Sequence, residues 1–332
     1  MARGRAGTGI LPDVSAPLVS VGIVTWNADA LFERCVESVR QQRHPSVELH
    51  IWDNASSADG RDVVARATRE SEQTWSSVNV GFAGGHNRLI SACRGAYYLC
   101  LNPDAVLTPD YVGALVQAME LTPSAGSATG RLLRLDNPDI LDSTGIVMTR
   151  DQRHLDRGAD EVAEGRFETG PEEVFGPSGA AALYRRAMLE DVAVAGEYFD
   201  EHFFAYREDA DLAWRARLQG WSSIYVPAAR AFHRRRVTPE RRQDLPPEVN
   251  RYSVRNRFLL RMKNQSGREA LRFFWPTFRR DALVVGYVLL REHRSIPGLL
   301  DAVRLVPTMW RKRRVIAARR RVGSAAITRW FR

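Results

Sequence analysis

Glu208, Asp209 and Asp211 put three carboxylates into four residues, and Arg215 follows Asp211 by four. At a helix start the backbone dipole favours such charge, so part of the cluster could be structural. Like charges this close also repel, which raises the pKa of at least one of them. A carboxylate tuned that way suits a general base that takes a proton from a hydroxyl. Arg215 would pair with Asp211 along one helix face.

Four other places carry groups of interest. Asp53-Asn54 begins a Ser- and Gly-containing stretch. A carboxylate there could accept the imide N–H of a uracil or thymine ring, and a plain turn uses the same residue types. Residues Asn79 to Asn87 include Gly81, Gly84 and Gly85, whose bare backbone could approach a phosphate or sugar. The spacing is neither GxGxxG nor a Walker loop, so the usual dinucleotide and ATP readings fail; a flexible connection fits equally well. Asn102-Pro103-Asp104 could hold Mg²⁺ or Mn²⁺ against a diphosphate through Asp104, or cap the helix that follows. His233 precedes Arg234, Arg235 and Arg236, a run that could be solvated or could neutralise a diphosphate.

The elements that must position these residues can be read from hydropathy. Strands are expected at Leu18 to Thr25, Val47 to Trp52, Trp75 to Val78, Tyr97 to Leu101 and Trp221 to Val226, the last stopped by Pro227. Helices are expected from Ala30 to Gln42, from Asp59 to about Glu70, from the glycine segment to about Arg94, and from Pro109 to Leu121. Asp209 to Gln219 reads as another helix, stopped by Gly220. Strand followed by helix, four times over, predicts a parallel sheet with helices on both faces. Ligands then bind beyond the carboxyl ends of the strands, where Asp53, Asn79 and Asp104 fall. Residues 132 to 173 should form loops and short strands. Helical, arginine-rich sequence is expected from about Asn256.

Composition narrows the class. The 332 residues are 44% apolar, enough for a sizeable core. Cys35, Cys93 and Cys100 have no metal-ligand spacing and read as buried thiols of a reducing cytoplasm. Residues 1 to 16 lack an apolar signal segment and are expected to be disordered. The longest uncharged apolar run, Ala282 to Leu290, is too short to cross a bilayer. Residues 261 to 332 hold 18 basic and 4 acidic side chains, whereas the other 260 residues have a net charge of −5. The acidic body argues against a nucleic-acid partner and for one localised anionic partner. Phe273, Phe274, Trp275, Trp310, Trp330 and Phe331 interleave with these arginines, a composition suited to an anionic membrane surface. A solvated helix or a homo-oligomer contact would use the same residues.

Residues 19–27, 52–60, 79–87, 98–111, 132–145, 175–186, 198–221 and 225–236, taken in order, resemble the family 2 glycosyltransferases of GT-A fold, and among these the bacterial rhamnosyltransferases. The resemblance covers Val19 to about Asn264. It implies an α/β GT-A fold, with a Rossmann-like, mostly parallel central sheet in a catalytic domain over residues 17–240. A basic helical extension would cover residues 241–332. It further implies an inverting, metal-dependent hexosyltransferase. The donor would be dTDP-L-rhamnose, or a UDP-sugar such as UDP-galactofuranose. The acceptor would be a cell-wall, polysaccharide or lipid-linked saccharide, and the location cytoplasmic, peripheral on the inner membrane face. A catalytically silent saccharide-binding protein is the alternative of another class. By position, the resemblance gives Asp209 the role of base, with Glu208, Asp211 and Arg215 in support. Thr25, Asn27, Asp53, Asn54, Asn79, Gly81, Gly84, Asn87, Asn102 and Asp104 match the nucleotide-sugar site, and Gly179 and Ala180 a wall near donor sugar and acceptor. Asp104 and His233 match ligands of Mg²⁺ or Mn²⁺; the first acid of the family's metal motif is Asn102 here.

Overall fold

The computed structural model describes residues 16–235 and 247–332. The expected disordered N-terminus, but for Ala16, and the expected boundary at residue 240 lie outside the described residues. The chain begins with β1 (Val19–Thr25), α1 (Leu31–Arg40), β2 (Val47–Asp53), α2 (Ala58–Ala67), β3 (Gln73–Trp75), α3 (Gly81–Ala92), β4 (Tyr97–Leu101), β5 (Ala105–Leu107) and α4 (Tyr111–Glu120). It continues with β6 (Ala125–Arg134), β7 (Leu141–Ser143), β8 (Ile146–Met148), β9 (His154–Asp156), β10 (Glu172–Glu173), β11 (Ala181–Arg185), α5 (Arg186–Val192), α6 (Glu208–Leu218) and β12 (Ser222–His233). The C-terminal part is α7 (Pro247–Asn264), α8 (Gly267–Arg272), α9 (Phe274–Leu290), α10 (Ile296–Arg304), α11 (Val306–Arg319) and α12 (Ser324–Thr328).

Among the described residues one sheet has the order β10-β12-β6-β11-β4-β1-β2-β3, with β5 on β12 and β7 on β6. β1, β2, β3, β4, β6 and β12 run the same way, and β11 runs against its two neighbours β4 and β6. Alternation along the strands divides the core into two layers. Val21, Ile23, Leu99 and Leu101 face α1, α2 and α4 through Phe32, Val64 and Leu115. Val24, Tyr98 and Cys100 face α3, α5 and α6 through Leu89, Met188 and Leu212. All three cysteines are free and buried, matching the expectation for thiols.

Several boundaries differ from the sequence reading. β3 lies at Gln73–Trp75, upstream of the expected segment, because its pairing to β2 aligns Trp75 with Asp53. Pro109 is outside α4, whose N-cap is Asp110. Pro227 does not end β12: the strand absorbs it in a bulge between Val226 and Arg230 and runs on to His233. The long buried strand β6 begins ahead of the stretch expected to be irregular, and α7 starts nine residues before Asn256.

The C-terminal helices share a core with the sheet domain. Leu259, Leu260, Phe273, Met309, Ile316, Ile327 and Phe331 pack with Phe175, Phe203 and Trp214. Phe273 and Phe331 are therefore interior residues, and Trp330 lies under the guanidinium of Arg217. Of the six aromatics whose composition suits a membrane surface, a solvated helix or a subunit contact, Phe273 and Phe331 thus belong to the core instead.

A buried ionic network fixes α6 to this extension. Asp211, fully buried on α6, accepts from Arg215 Nε at 3.0 Å, Lys263 Nζ at 2.7 Å and Asn264 Nδ2 at 2.7 Å. Lys263 also donates to Asp200 at 2.7 Å; Lys312 donates to Asp200 and Glu197, each at 2.7 Å. These are the chain's two lysines, against 46 arginines. An ammonium with three rotatable donors suits carboxylates converging from different directions better than a planar guanidinium does. Removing one partner leaves a buried charge without compensation. Lys263→Met should destabilise the fold by about 3–5 kcal/mol. Urea unfolding would read this as a lower midpoint, and adding Asp211→Asn should restore part of the loss.

Candidate active site

The antiparallel register of β5 on β12 pairs His233 with Ala105 and so sets the imidazole beside Asp104. His233 Nε2 lies 3.3 Å from Asp104 Oδ1 and 3.3 Å from the Asn102 amide nitrogen. On the other side of the ring, Nδ1 lies 2.9 Å from Asp142 Oδ2. Burial opposes a charge on His233, yet its hydrogen bonds to Asp104 and Asp142 prevail and push its pKa up to about 9. Asp142 stays below the ordinary carboxylate range despite its burial, because His233 and Arg235 hold it. A carboxylate behind the imidazole is the usual means of fixing a metal-ligating histidine's tautomer and ring. Asp104 and His233 are two ligands of the oxygen and nitrogen types that Mg²⁺ or Mn²⁺ accepts, and a diphosphate and water would supply the rest. The donor set thus fits a divalent ion shared with a substrate.

The start of α6 approaches the same sheet edge through the loop before β11. Gly179 N–H donates to Asp209 Oδ2 at 3.1 Å, and Ala210 N–H donates to Asp209 Oδ1 at 2.7 Å. Ala180 C=O accepts from the Asn102 N–H at 2.9 Å, so Gly179-Ala180 links the end of β4 to Asp209. A side chain at Gly176 would run into Ala213 Cβ at 2.3 Å, and one at Gly179 would meet Asp209 at 3.4 Å. Close approach of α6 therefore requires glycine at 176, while a Cβ at 179 would only touch Asp209.

Burial raises the pKa of both Glu208 and Asp209, and each carboxyl feels the other as a like charge or coupled neighbour. Asp209 is pushed up to about 6, restrained by its two backbone N–H donors. Glu208 Oε2 has no such partner and its carboxyl is raised further. Of the pair, Glu208 is thus the carboxyl that favours its proton and Asp209 the one whose charge the backbone donors favour. Asp211, with Arg215 and Lys263, faces away into the ionic network.

The backbone leading into α6 is strained. Phe204, Tyr206 and Arg207 have φ of +63°, +70° and +73°, and side-chain-bearing residues pay for the left-handed region. Asn256 of α7, fully buried, holds this turn: its Nδ2 lies 2.9, 2.9 and 2.8 Å from the carbonyl oxygens of Phe203, Ala205 and Tyr206. Sequence reading missed Asn256 because nothing in its own helix marks it.

Asp142, Asp156 and Arg235 were likewise missed as a unit. Arg235 donates to Asp142 at 2.6 Å and to Asp156 at 2.7 Å. Asp156 in turn adds, as a like charge, to the rise of the Asp209 pKa, and the ion pairs from His233 through Asp142 and Arg235 end on Asp156. Arg235 is thus committed within the protein, and Arg234 pairs with Asp29. Arg236 lies outside the described residues.

On the far edge, Thr25 and Asp53 are register partners at the ends of β1 and β2. Both are buried, and Thr25 Oγ1 and Asp53 Oδ2 have no hydrogen-bond partner. Asp53 Oδ1 receives the Ser56 N–H at 3.0 Å, with Arg61 Nε at 3.5 Å. Beside them Trp26 is 60% exposed and Trp75 40%, with Arg61 over the Trp75 ring. These flat side chains were not singled out from sequence. Asn27, Asn54, Asn79 and Asn87 are occupied differently. Asn27 Oδ1 accepts from Ser57 N–H, and Asn54 holds Trp52, Val80 and Gly81. Asn79 accepts from Gly81 N–H, and Asn87 binds both backbone groups of Phe199. Gly81 and Gly84 belong to α3 itself. A Cβ at Gly81, φ +76°, would strike the Phe204 carbonyl at 2.5 Å, while one at Gly84 would crowd Val80 at 3.0 Å. The glycine segment serves close packing here, where the sequence suggested an open cradle.

Comparisons with known proteins bear on the family and the fold. A family described as "Glycosyltransferase like family 2" matches residues 16–258. An N-acetylglucosaminyl-diphospho-decaprenol L-rhamnosyltransferase of Mycobacterium tuberculosis is 26% identical over 242 residues, 65% of this chain and 76% of that one. A poly-beta-1,6-N-acetyl-D-glucosamine synthase of Staphylococcus epidermidis is 22% identical over 82% of this chain and 60% of its own. In fold, the chain is similar to the mannosyltransferase PcManGT of Pyrobaculum calidifontis, solved with GDP-Man and Mn²⁺. There the TM-score is 0.53 at 16% identity, covering 96% of this chain and 82% of that one. It is also similar to S. aureus TarS 1-349 with UDP-GlcNAc, with a TM-score of 0.56 at 16% identity, covering 87% and 82%. With a GT-A-like sheet and a family match over most of its length, this chain belongs to the family 2 glycosyltransferases.

Proposed function

We propose that the protein transfers a sugar from a nucleoside-diphosphate donor with inversion at the anomeric carbon, using Asp209 as base. The observation that carries this reading is the Gly179-Ala180 loop. It ties Asp209 to the β4 end from which Asn102 and Asp104 project. Asp209 is ionised and held by two N–H groups, so it can accept the proton of an acceptor hydroxyl as that oxygen attacks. Glu208, keeping its proton, leaves the local charge at one. Asp104 and His233 would hold Mg²⁺ or Mn²⁺, which when bound offsets the charge developing on the departing diphosphate. Thr25 and Asp53 would take the nucleobase, a reading supported by their buried, unpartnered Oγ1 and Oδ2, and Asp53 suits the imide N–H of thymine or uracil. The rest of the chemistry is positioning.

We further propose dTDP-L-rhamnose as donor, supported by the mycobacterial relative, whose name gives L-rhamnose as the sugar it transfers. That name also describes a lipid-linked acceptor, and the proposed acceptor here is of that kind or a cell-wall saccharide. A location on the cytoplasmic face of a membrane would follow. No described helix is long and apolar enough to cross a membrane.

Nucleoside diphosphate release should occur with one member of a dTDP- and UDP-sugar panel and stop on adding EDTA. Release from no member, or undiminished release in EDTA, would remove the metal-assisted reading. Asp209→Asn should cut turnover by roughly 10²–10⁴-fold while leaving donor binding by calorimetry unchanged. The wild-type rate at saturating donor should rise with pH through about 6, because the raised Asp209 carboxyl is a base only when ionised. A flat profile between mildly acidic and neutral pH contradicts this assignment.

A further inference from the structure

The outward side of α9 is apolar although, among the described residues, it is left exposed. Trp275 is 69% exposed, Phe278 54% and Leu289 50%, Ala282 is exposed with them, and Leu271 of the preceding α8 is 81% exposed. From Trp275 onward these positions follow the i, i+3, i+7, i+14 spacing of one helix ridge, with Leu271 one turn ahead. Leu283 and Leu290, 65% and 76% exposed, form the adjacent ridge with Arg279. The inner side carries the helix's only acid. Asp281 pairs with Arg261 Nη2 at 2.6 Å, and Val288 is buried. The usual amphipathic arrangement of a surface helix is thus reversed.

Charge points to the occupant. The acids of this tail are all engaged within the protein: Asp281 as above, Glu269 with Arg320 at 2.7 Å, Asp301 with Arg251 at 2.6 Å, and Glu292 with Ser295. Arg268, Arg272, Arg279, Arg291 and Arg294 are exposed on or beside α8 and α9. An apolar stripe edged by cations and lacking free acids complements a surface that is apolar inside and anionic at its rim. That describes a bilayer interface of acidic phospholipid. A second copy of the chain would bring a second set of arginines against the first. At 17 residues, about 25 Å, α9 would lie in the interface plane.

We propose that α9 inserts Trp275, Phe278, Leu283 and Leu290 into an anionic lipid surface, with Arg272 and Arg279 on the headgroups. The proposal deepens the membrane location above but does not depend on sugar transfer, because it is tested without donor or acceptor. The full chain is sedimented with vesicles of phosphatidylglycerol and phosphatidylcholine, and with phosphatidylcholine alone, at low and high salt. Binding is expected to the acidic vesicles, weakened by salt. In Trp275→Ser/Phe278→Ser it should fall roughly tenfold or more. Both side chains are more than half exposed, so the variant should keep the wild-type melting curve by circular dichroism. Three results would overturn the proposal. One is no sedimentation with acidic vesicles. Another is binding that the double substitution leaves intact, which would assign it to arginines alone. The third is a lipid-free dimer, by sedimentation velocity, that the double substitution dissociates. Loss of donor turnover with vesicle binding retained would count against the transferase reading only.

Discussion

Asp211 brings a carboxylate into the fully buried interior of the molecule, and the placement of α6 depends on how that group is met. A lone carboxylate there would be protonated or would unfold the helix. Instead Arg215 from its own helix and Lys263 and Asn264 from α7 converge on it. The same α7 holds the left-handed turn before α6 through Asn256. The extension is therefore part of what shapes the active-site turn, and the shared core of Phe203, Trp214, Leu259 and Phe331 supplies the apolar contact that keeps the ions dry.

The second constraint is the sheet register. β11 runs antiparallel between β4 and β6, so the loop preceding it must pass the end of β4. That passage delivers Gly179 to Asp209 and Ala180 to Asn102. At the other end, the bulge at Pro227 lets β12 extend far enough to pair His233 with Ala105. The Asp209 carboxylate and a candidate metal pair thus arise from three segments more than twenty residues apart in sequence, each fixed by main-chain bonds. Ion pairs run on from His233 through Asp142 and Arg235 to Asp156.

Two adjacent buried carboxyls gain unequal pKa values from this arrangement. Asp209 receives backbone donors that favour its charge; Glu208 receives none on its buried oxygen. Which of the two carboxyls more readily holds a charge is decided by which of them meets the loop before β11.

The sequence by itself determined the strand–helix alternation of the first half, since β-branched runs and 3.6-residue periodicity are local properties. β1, α1, β2 and β4 lie within a residue or two of where periodicity puts them. It also marked Asp53, Asp104, Asp209 and His233 as residues of interest, through types and spacing that matched a known family. What the tertiary structure alone decided is what each polar group touches. Asn87, Gly81 and Gly84 look like ligand-binding residues in a linear reading, yet packing against Phe199, Phe204 and Val80 occupies them. Asp142, Lys263 and Asn256 carry no local signal because their partners are dozens of residues away. The tail shows the same limit: its aromatics share one composition, but Phe273 and Phe331 face the core and Trp275 and Phe278 face outward. Which side of a helix is inward is set by the surface it packs on, which is not written in the helix.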